Sequence, residues 1–234
     1  MYFEAPFLKR NFTVFRIGSI LLPAAHFGAR CFGADIEYNN IFGLGKSSRC
    51  NVRYRSRDET IRENFRQYGL EDKYVDMMIA DTSRPGLIRS NMLFDCIVTD
   101  PPYGLREKGV KVGSNKGPNG NLNRMAEAHF PMKVRYRLKD VFLDLLNFAA
   151  EHLVVNGRLV YWLPFDASDF DEMFIPRHPC LETVATCEQL LSNSYGRLLV
   201  AMEKRRQSET SEKAYFIRDF YSSFRDRVLK CRVK

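Results

Sequence analysis

Three stretches rich in strand-forming residues each run into an aspartate, and this pattern constrains the fold more than any other feature. Ala29–Ile36 (ARCFGADI) closes on Asp35 with Glu37 behind it, Tyr74–Ala80 closes on Asp81, and Leu93–Thr99 closes on Asp100. Strands that are apolar at successive positions are covered on both faces, the situation of a parallel sheet flanked by helices. Helical patterns separate them. Ser19–Phe27 reads as a short helix ending at Gly28, and Tyr38–Asn51 as another. Asp58 is an N-cap for ETIRENFRQY, and Gly69 is placed to close that helix in the left-handed conformation. A longer helix is predicted from about Tyr136 to Leu153, with Val141, Leu145, Phe148 and Leu153 near helical spacing. Asn156-Gly157 then turns into RLVYWLP, which Pro164 ends, and a mixed helical segment covers Ala167–Phe174. Two last strands, Thr183–Leu191 and Arg197–Met202, flank a turn at Asn193–Gly196. The order predicts an α/β domain whose mostly parallel sheet closes in a C-terminal antiparallel hairpin. A chain of 234 residues, 45% of them hydrophobic, has the length and apolar content for one such domain.

Charge points to the partner. The formal net charge is +8. Between Gly104 and Lys139 stand nine lysines and arginines against two acids, so nearly all of the excess sits in one Gly-, Asn- and Lys-rich loop that follows Asp100. Loops of this length are functional or disordered, and a basic one favours nucleic acid. A second basic run, Lys46–Arg57, holds five Lys/Arg and no acid. The six cysteines, at 31, 50, 96, 180, 187 and 231, form no CxxC pair and show no His/Cys ligand spacing. Neither a metal site nor a disulfide framework is signalled, and reduced thiols in a cytoplasmic or nuclear setting are expected. Lys9, Arg10 and Arg16 before Ile17–Ala25 imitate a secretory signal, but Pro23 and His26 break the apolar run, and no segment is long enough to span a membrane.

In open parallel sheets ligands bind outside the carboxyl ends of the strands, where strand order reverses. A carboxylate at the end of the second strand can accept both hydroxyls of a ribose, and one at the next strand end can accept an adenine amino group. Asp35 and Asp81 therefore describe a nucleoside-bearing cofactor. Asp100-Pro101-Pro102-Tyr103 supplies different chemistry. Prolines stiffen the chain and remove donors, so the Asp100 carboxylate and the Pro101 carbonyl converge as acceptors on one amino group, while the Tyr103 ring stacks on a planar base. Such a site holds an exocyclic amine with its lone pair aimed at an electrophile.

DPPYG after a strand resembles the motif of amino-group methyltransferases that use S-adenosylmethionine. The wider runs AAHFGARCFGADIEYNNIFGLGKSSR, IRENFRQYGLEDKYVDMMIADTSRP and FDCIVTDPPYGLRE resemble one family, the catalytic subunits of eukaryotic tRNA (guanine-10-N2)-methyltransferases, over roughly Gly18–Lys204. The resemblance implies a Rossmann-like methyltransferase fold, S-adenosylmethionine as cofactor and tRNA as substrate. It implies that Gly18, Asp35 and Asp81 bind the cofactor, that Asp100, Pro101, Pro102 and Tyr103 hold the target base, and that Arg106, Lys108, Lys111 and Lys116 lie near the tRNA backbone. It also implies a small zinc-binding activator subunit as partner.

The sequence departs from that family in two ways. No THUMP-containing RNA-binding region precedes an atypical segment, residues 1–18. The family's acidic, glycine-rich first loop is replaced by FTVFRIGS, which keeps only Gly18-Ser19. Arg16 brings bulk and positive charge beside a sulfonium, and both oppose binding. Phe12, Val14 and Ile17 nevertheless fit a substitute first strand. The expected organisation is residues 1–18, a methyltransferase domain over 19–204, and a basic tail over 205–234 in which Phe216, Phe220, Phe224 and Val228 predict an amphipathic helix. Two alternatives stay open: a catalytically inactive form that binds RNA or a partner subunit, and amino-methylation of DNA or protein glutamine.

Overall fold

A computed structural model of the chain describes residues 11–15, 20–42, 44, 59–81, 83–84, 86, 88–105, 109–113, 132–167 and 169–230. The first four strands are β1 (Asn11–Phe15), β2 (Arg30–Asp35), β3 (Tyr74–Ile79) and β4 (Phe94–Thr99). A short ribbon of β5 (Val110–Val112) and β6 (Lys133–Arg135) precedes β7 (Leu153–Asp166), β8 (Leu181–Leu190) and β9 (Tyr195–Lys204). The helices are α1 (Leu21–His26), α2 (Tyr38–Ile41), α3 (Ile61–Gln67), α4 (Leu138–His152) and α5 (Phe224–Lys230).

Seven strands form one sheet in the order β3-β2-β1-β4-β7-β9-β8, and only β9 runs against its neighbours. The chain starts in the middle, steps outward through β2 to β3, and returns to the other side of β1 as β4. Strand order therefore reverses between β1 and β4, the crevice where a Rossmann-like sheet binds ligands. Register aligns the carboxyl ends: Phe15 pairs with Ala34 on one side and Thr99 on the other, and Asp35 pairs with Ile79. The acids that end β2, β3 and β4 thus gather along one rim.

The substitute first strand forms. β1 pairs in parallel with both β2 and β4, so the sheet is continuous at its centre. On one side Leu21, Ala25, Ile61, Phe65 and Met77 make a small core. On the other, Phe142, Leu146 and Ala149 of α4 pack with Ile97, Leu159, Tyr161 and Val200. The segment after Lys204 joins this second core through Phe220, Tyr221, Phe224 and Val228, and Phe220 stacks on Phe174 at 4.3 Å between centroids. Each buried phenylalanine contributes about 1.5–3 kcal/mol, enough to fix the tail on the sheet.

Several local expectations change in the folded chain. Asp58 lies outside the described residues; the N-cap of α3 is Thr60, whose side chain accepts from Glu63 N at 3.1 Å, and Gly69 closes the helix at φ 67°. Of the helix read over Tyr38–Asn51, only Tyr38–Ile41 falls among the described residues as helix. β3 is an edge strand, so its apolar run is not covered on both faces, and Val75 and Ile79 stay 43% and 48% exposed. Asn156-Gly157 does not open β7 but bulges inside it, with Asn156 at φ 66° and a register shift opposite Phe94–Cys96. Pro164 does not end the strand. The β4 partner stops at Tyr161, so Pro164 faces a neighbour only on the β9 side and costs no ladder bond toward β4. Among the described residues the tail is helical only over Phe224–Lys230. No helix among the described residues is long and apolar enough to cross a membrane.

Candidate active site

β4 ends at the buried Thr99, and the two prolines that follow cannot continue a ladder, so Asp100 stands at the rim with its side chain 42% exposed. Gly104, at φ 74°, reverses the chain after Tyr103. The Tyr103 hydroxyl donates a short hydrogen bond to Asp100 Oδ1, and Arg197 Nη1 lies 3.6 Å from Oδ2. Burial pushes the Tyr103 hydroxyl well above the ordinary tyrosine range, and the bond to Asp100 pushes it further, so it stays a donor at neutral pH. The sequence gives Tyr103 a stacking role; its hydroxyl also fixes the rotamer of the acid that ends β4.

Arg197 is the site residue that the sequence does not reveal. It is the third residue of β9, opposite Pro164, and because β9 runs antiparallel its first residues return to the rim where β4 and β7 finish. Its Nε donates to Gln189 Oε1 at 2.7 Å, and its guanidinium lies 4.0 Å over the Trp162 ring. No local signal in NSYGRLL marks an arginine as a partner of an aspartate almost a hundred positions earlier. Only the hairpin topology does.

Asp35 and Asp81 are both buried at the rim. Asp35 Oδ1 accepts from Glu37 N at 2.8 Å, which shapes the turn after β2. Asp81 is held on both oxygens. Oδ1 accepts from Ser83 N at 3.0 Å and Ser83 Oγ at 2.7 Å; Oδ2 accepts from Val112 N at 2.6 Å, with Arg84 Nε at 4.0 Å. The β5–β6 ribbon thus reaches from the loop after Tyr103 to the end of β3, and Lys133 on its second strand pairs with Glu37 after β2. Lys111 on β5 lies 5.0 Å over the Tyr136 ring, and the Tyr136 hydroxyl donates to Asp144. Gly18, Arg106, Lys108 and Lys116 lie outside the described residues.

The acceptor set fits an adenosyl cofactor: buried carboxylates end β2 and β3 on one side of the reversal point, where ribose hydroxyls and an adenine amine find acceptors. Among the described residues no group of His, Cys, Asp or Glu could hold a metal ion. Burial pushes the Cys31 and Cys96 thiols up to about 12, which makes them inert at neutral pH.

No protein-family model matches the chain. It is 46% identical over 210 residues to the tRNA (guanine(10)-N(2))-methyltransferase TRMT11 of Bos taurus, an alignment that covers 88% of this chain and 45% of that protein. The chain is a relative of these methyltransferases. The Homo sapiens protein is 47% identical over 213 residues, covering 88% of this chain and 46% of its own, and that of Dictyostelium discoideum is 41% identical over 194, covering 80% and 35%. The chain spans about half the length of the curated relatives it matches. Among solved structures, TrmN from Thermus thermophilus aligns with a TM-score of 0.47 and 18% identity, over 83% of this chain and 44% of that one. The fold assignment rests on the strand order and register of the sheet itself.

Proposed function

We propose that the chain transfers a methyl group from S-adenosylmethionine to the exocyclic 2-amino group of guanosine 10 in tRNA. The observation that carries this reading is Asp100-Pro101-Pro102-Tyr103 standing beside the reversal point of a Rossmann-like sheet, with buried acids at the two strand ends on the cofactor side. Identity of 46–47% to proteins named for this reaction supports it.

The cofactor supplies the electrophilic methyl group. Asp35 would hold ribose hydroxyls, and Asp81 would accept from the adenine amine. Asp100 and the Pro101 carbonyl accept the hydrogens of the guanine amine and so turn its lone pair toward the crevice. With the cofactor bound, the N–C bond would form as the S–CH3 bond breaks to leave a neutral thioether, and the half-exposed Asp100 carboxylate would pass the proton shed by the nitrogen to solvent. Orientation does most of the work, because an in-line displacement at a sulfonium needs little further help. The basic segment from Gly104 to Lys139, with Arg106, Lys108, Lys111 and Lys116, lies along the phosphates, where cation–phosphate contacts supply affinity without sequence preference. A small zinc-binding activator subunit docks on the β3 side of the sheet, where Tyr68, Val75, Ile79 and Phe42 leave apolar surface exposed beside an open strand edge. A cytoplasmic location completes the reading.

Asp100→Ala tests the assignment. Turnover on tRNA is expected to fall about 100-fold or more while S-adenosylmethionine affinity, measured by calorimetry, stays within a few-fold. Parallel loss of both would make Asp100 a cofactor ligand.

A further inference from the structure

We propose that Arg197 selects guanine at this site by donating to the base's 6-oxo group. The inference rests on the proposed guanine-amino methylation. Asp100 alone does not distinguish one amino purine from another, because a carboxylate accepts from any exocyclic amine. The Asp100–Arg197 pair does. Guanine presents, side by side on one edge, two N–H donors (N1 and the 2-amine) and a carbonyl acceptor, whereas adenine presents an amine donor beside a ring-nitrogen acceptor. An anionic acceptor with a cationic donor 3.6 Å away matches the guanine edge and opposes an amine at position 6.

The geometry makes Arg197 a fixed recognition group. Gln189 holds its Nε at 2.7 Å, the Trp162 ring supports its plane at 4.0 Å, and its side chain is only 25% exposed. Beside it, the Tyr103 hydroxyl fixes the other Asp100 oxygen. A guanidinium carries more N–H donors than these contacts consume, and a carboxylate accepts more bonds than two. Both groups can therefore receive the base without releasing their protein partners. A planar cation stacked on an indole is pre-organised, so little side-chain entropy is lost when it meets a carbonyl.

Trp162 is the only tryptophan in the chain, which gives the site its own reporter. The full chain is titrated with guanosine and, separately, with 2,6-diaminopurine riboside, which keeps the 2-amine and replaces the 6-oxo group by an amine. Trp162 fluorescence is followed throughout. Guanosine is expected to bind about tenfold more tightly, the lower end of what one good base-edge contact contributes. Arg197→Met keeps length and apolar contact with Trp162; it is expected to weaken guanosine binding alone and bring the two ligands within about twofold. Arg197→Lys, which keeps the charge without the plane, is expected to retain part of the preference. Equal weakening of both ligands by Arg197→Met would make Arg197 a brace for Asp100 and overturn the inference, as would silence of Trp162 toward both nucleosides in the wild-type chain. Selective guanosine binding without methyl transfer to tRNA would instead leave the inference standing and overturn the proposed function.

Discussion

Asp100 occupies a position that its sequence motif describes well and its surroundings refine. The motif gives the strand end, the rigid prolines and the converging acceptors; the fold adds Tyr103 on one oxygen and Arg197 near the other. At the same scale, Tyr161 shows a cost that the sequence hides. It is fully buried beside Phe142, and its hydroxyl has no hydrogen-bond partner among the described residues. A buried unsatisfied hydroxyl costs about 1–3 kcal/mol, so Tyr161→Phe is expected to stabilise the chain by about 1 kcal/mol. For a domain of this size that corresponds to a rise of about 2–4 °C in Tm by calorimetry. An unchanged or lower Tm would show that the hydroxyl has a partner in solution, such as a bound water.

Among the elements, the β5–β6 ribbon reaches the acids after β2 and β3, through Lys133 to Glu37 and Val112 to Asp81. Val112 sits at a register position whose N–H points away from β6, since the ladder bonds lie at Gly113 to Met132 and Tyr136 to Gly109. That outward N–H is the one Asp81 accepts. Val112→Pro removes the donor without removing a ladder bond and frees an acceptor for an adenine amine. Calorimetry is expected to show S-adenosylmethionine affinity rising a few-fold. A weaker affinity would mean that the ribbon shapes the pocket instead of competing for its acid. The strands β2, β3 and β4 were legible because apolar runs ending in acids have one simple reading, and α4 because fifteen helical residues carry a clear period. The ribbon was not legible: its strands are three residues each, separated by a long polar segment, and short pairings leave no periodic trace. The exposed edge at β3 was missed for a related reason. Burial of a strand depends on its place in the sheet, which composition alone does not fix.

For the whole molecule, the proposed activity draws on the charge map, the sheet topology and the rim acids together. The sheet closes through β1, and the strand order on either side of it is what brings Asp35, Asp81 and Asp100 to one edge. On the proposed function, this edge methylates one amino group on one base. This is tested by supplying labelled S-adenosylmethionine to the full chain, with the proposed zinc-binding activator subunit added, and two tRNA transcripts that differ only at position 10. One carries guanosine there and the other inosine, which lacks the 2-amine. The account predicts label on the guanosine transcript and none above background on the inosine transcript. Equal labelling of the two, or label on neither, would contradict it.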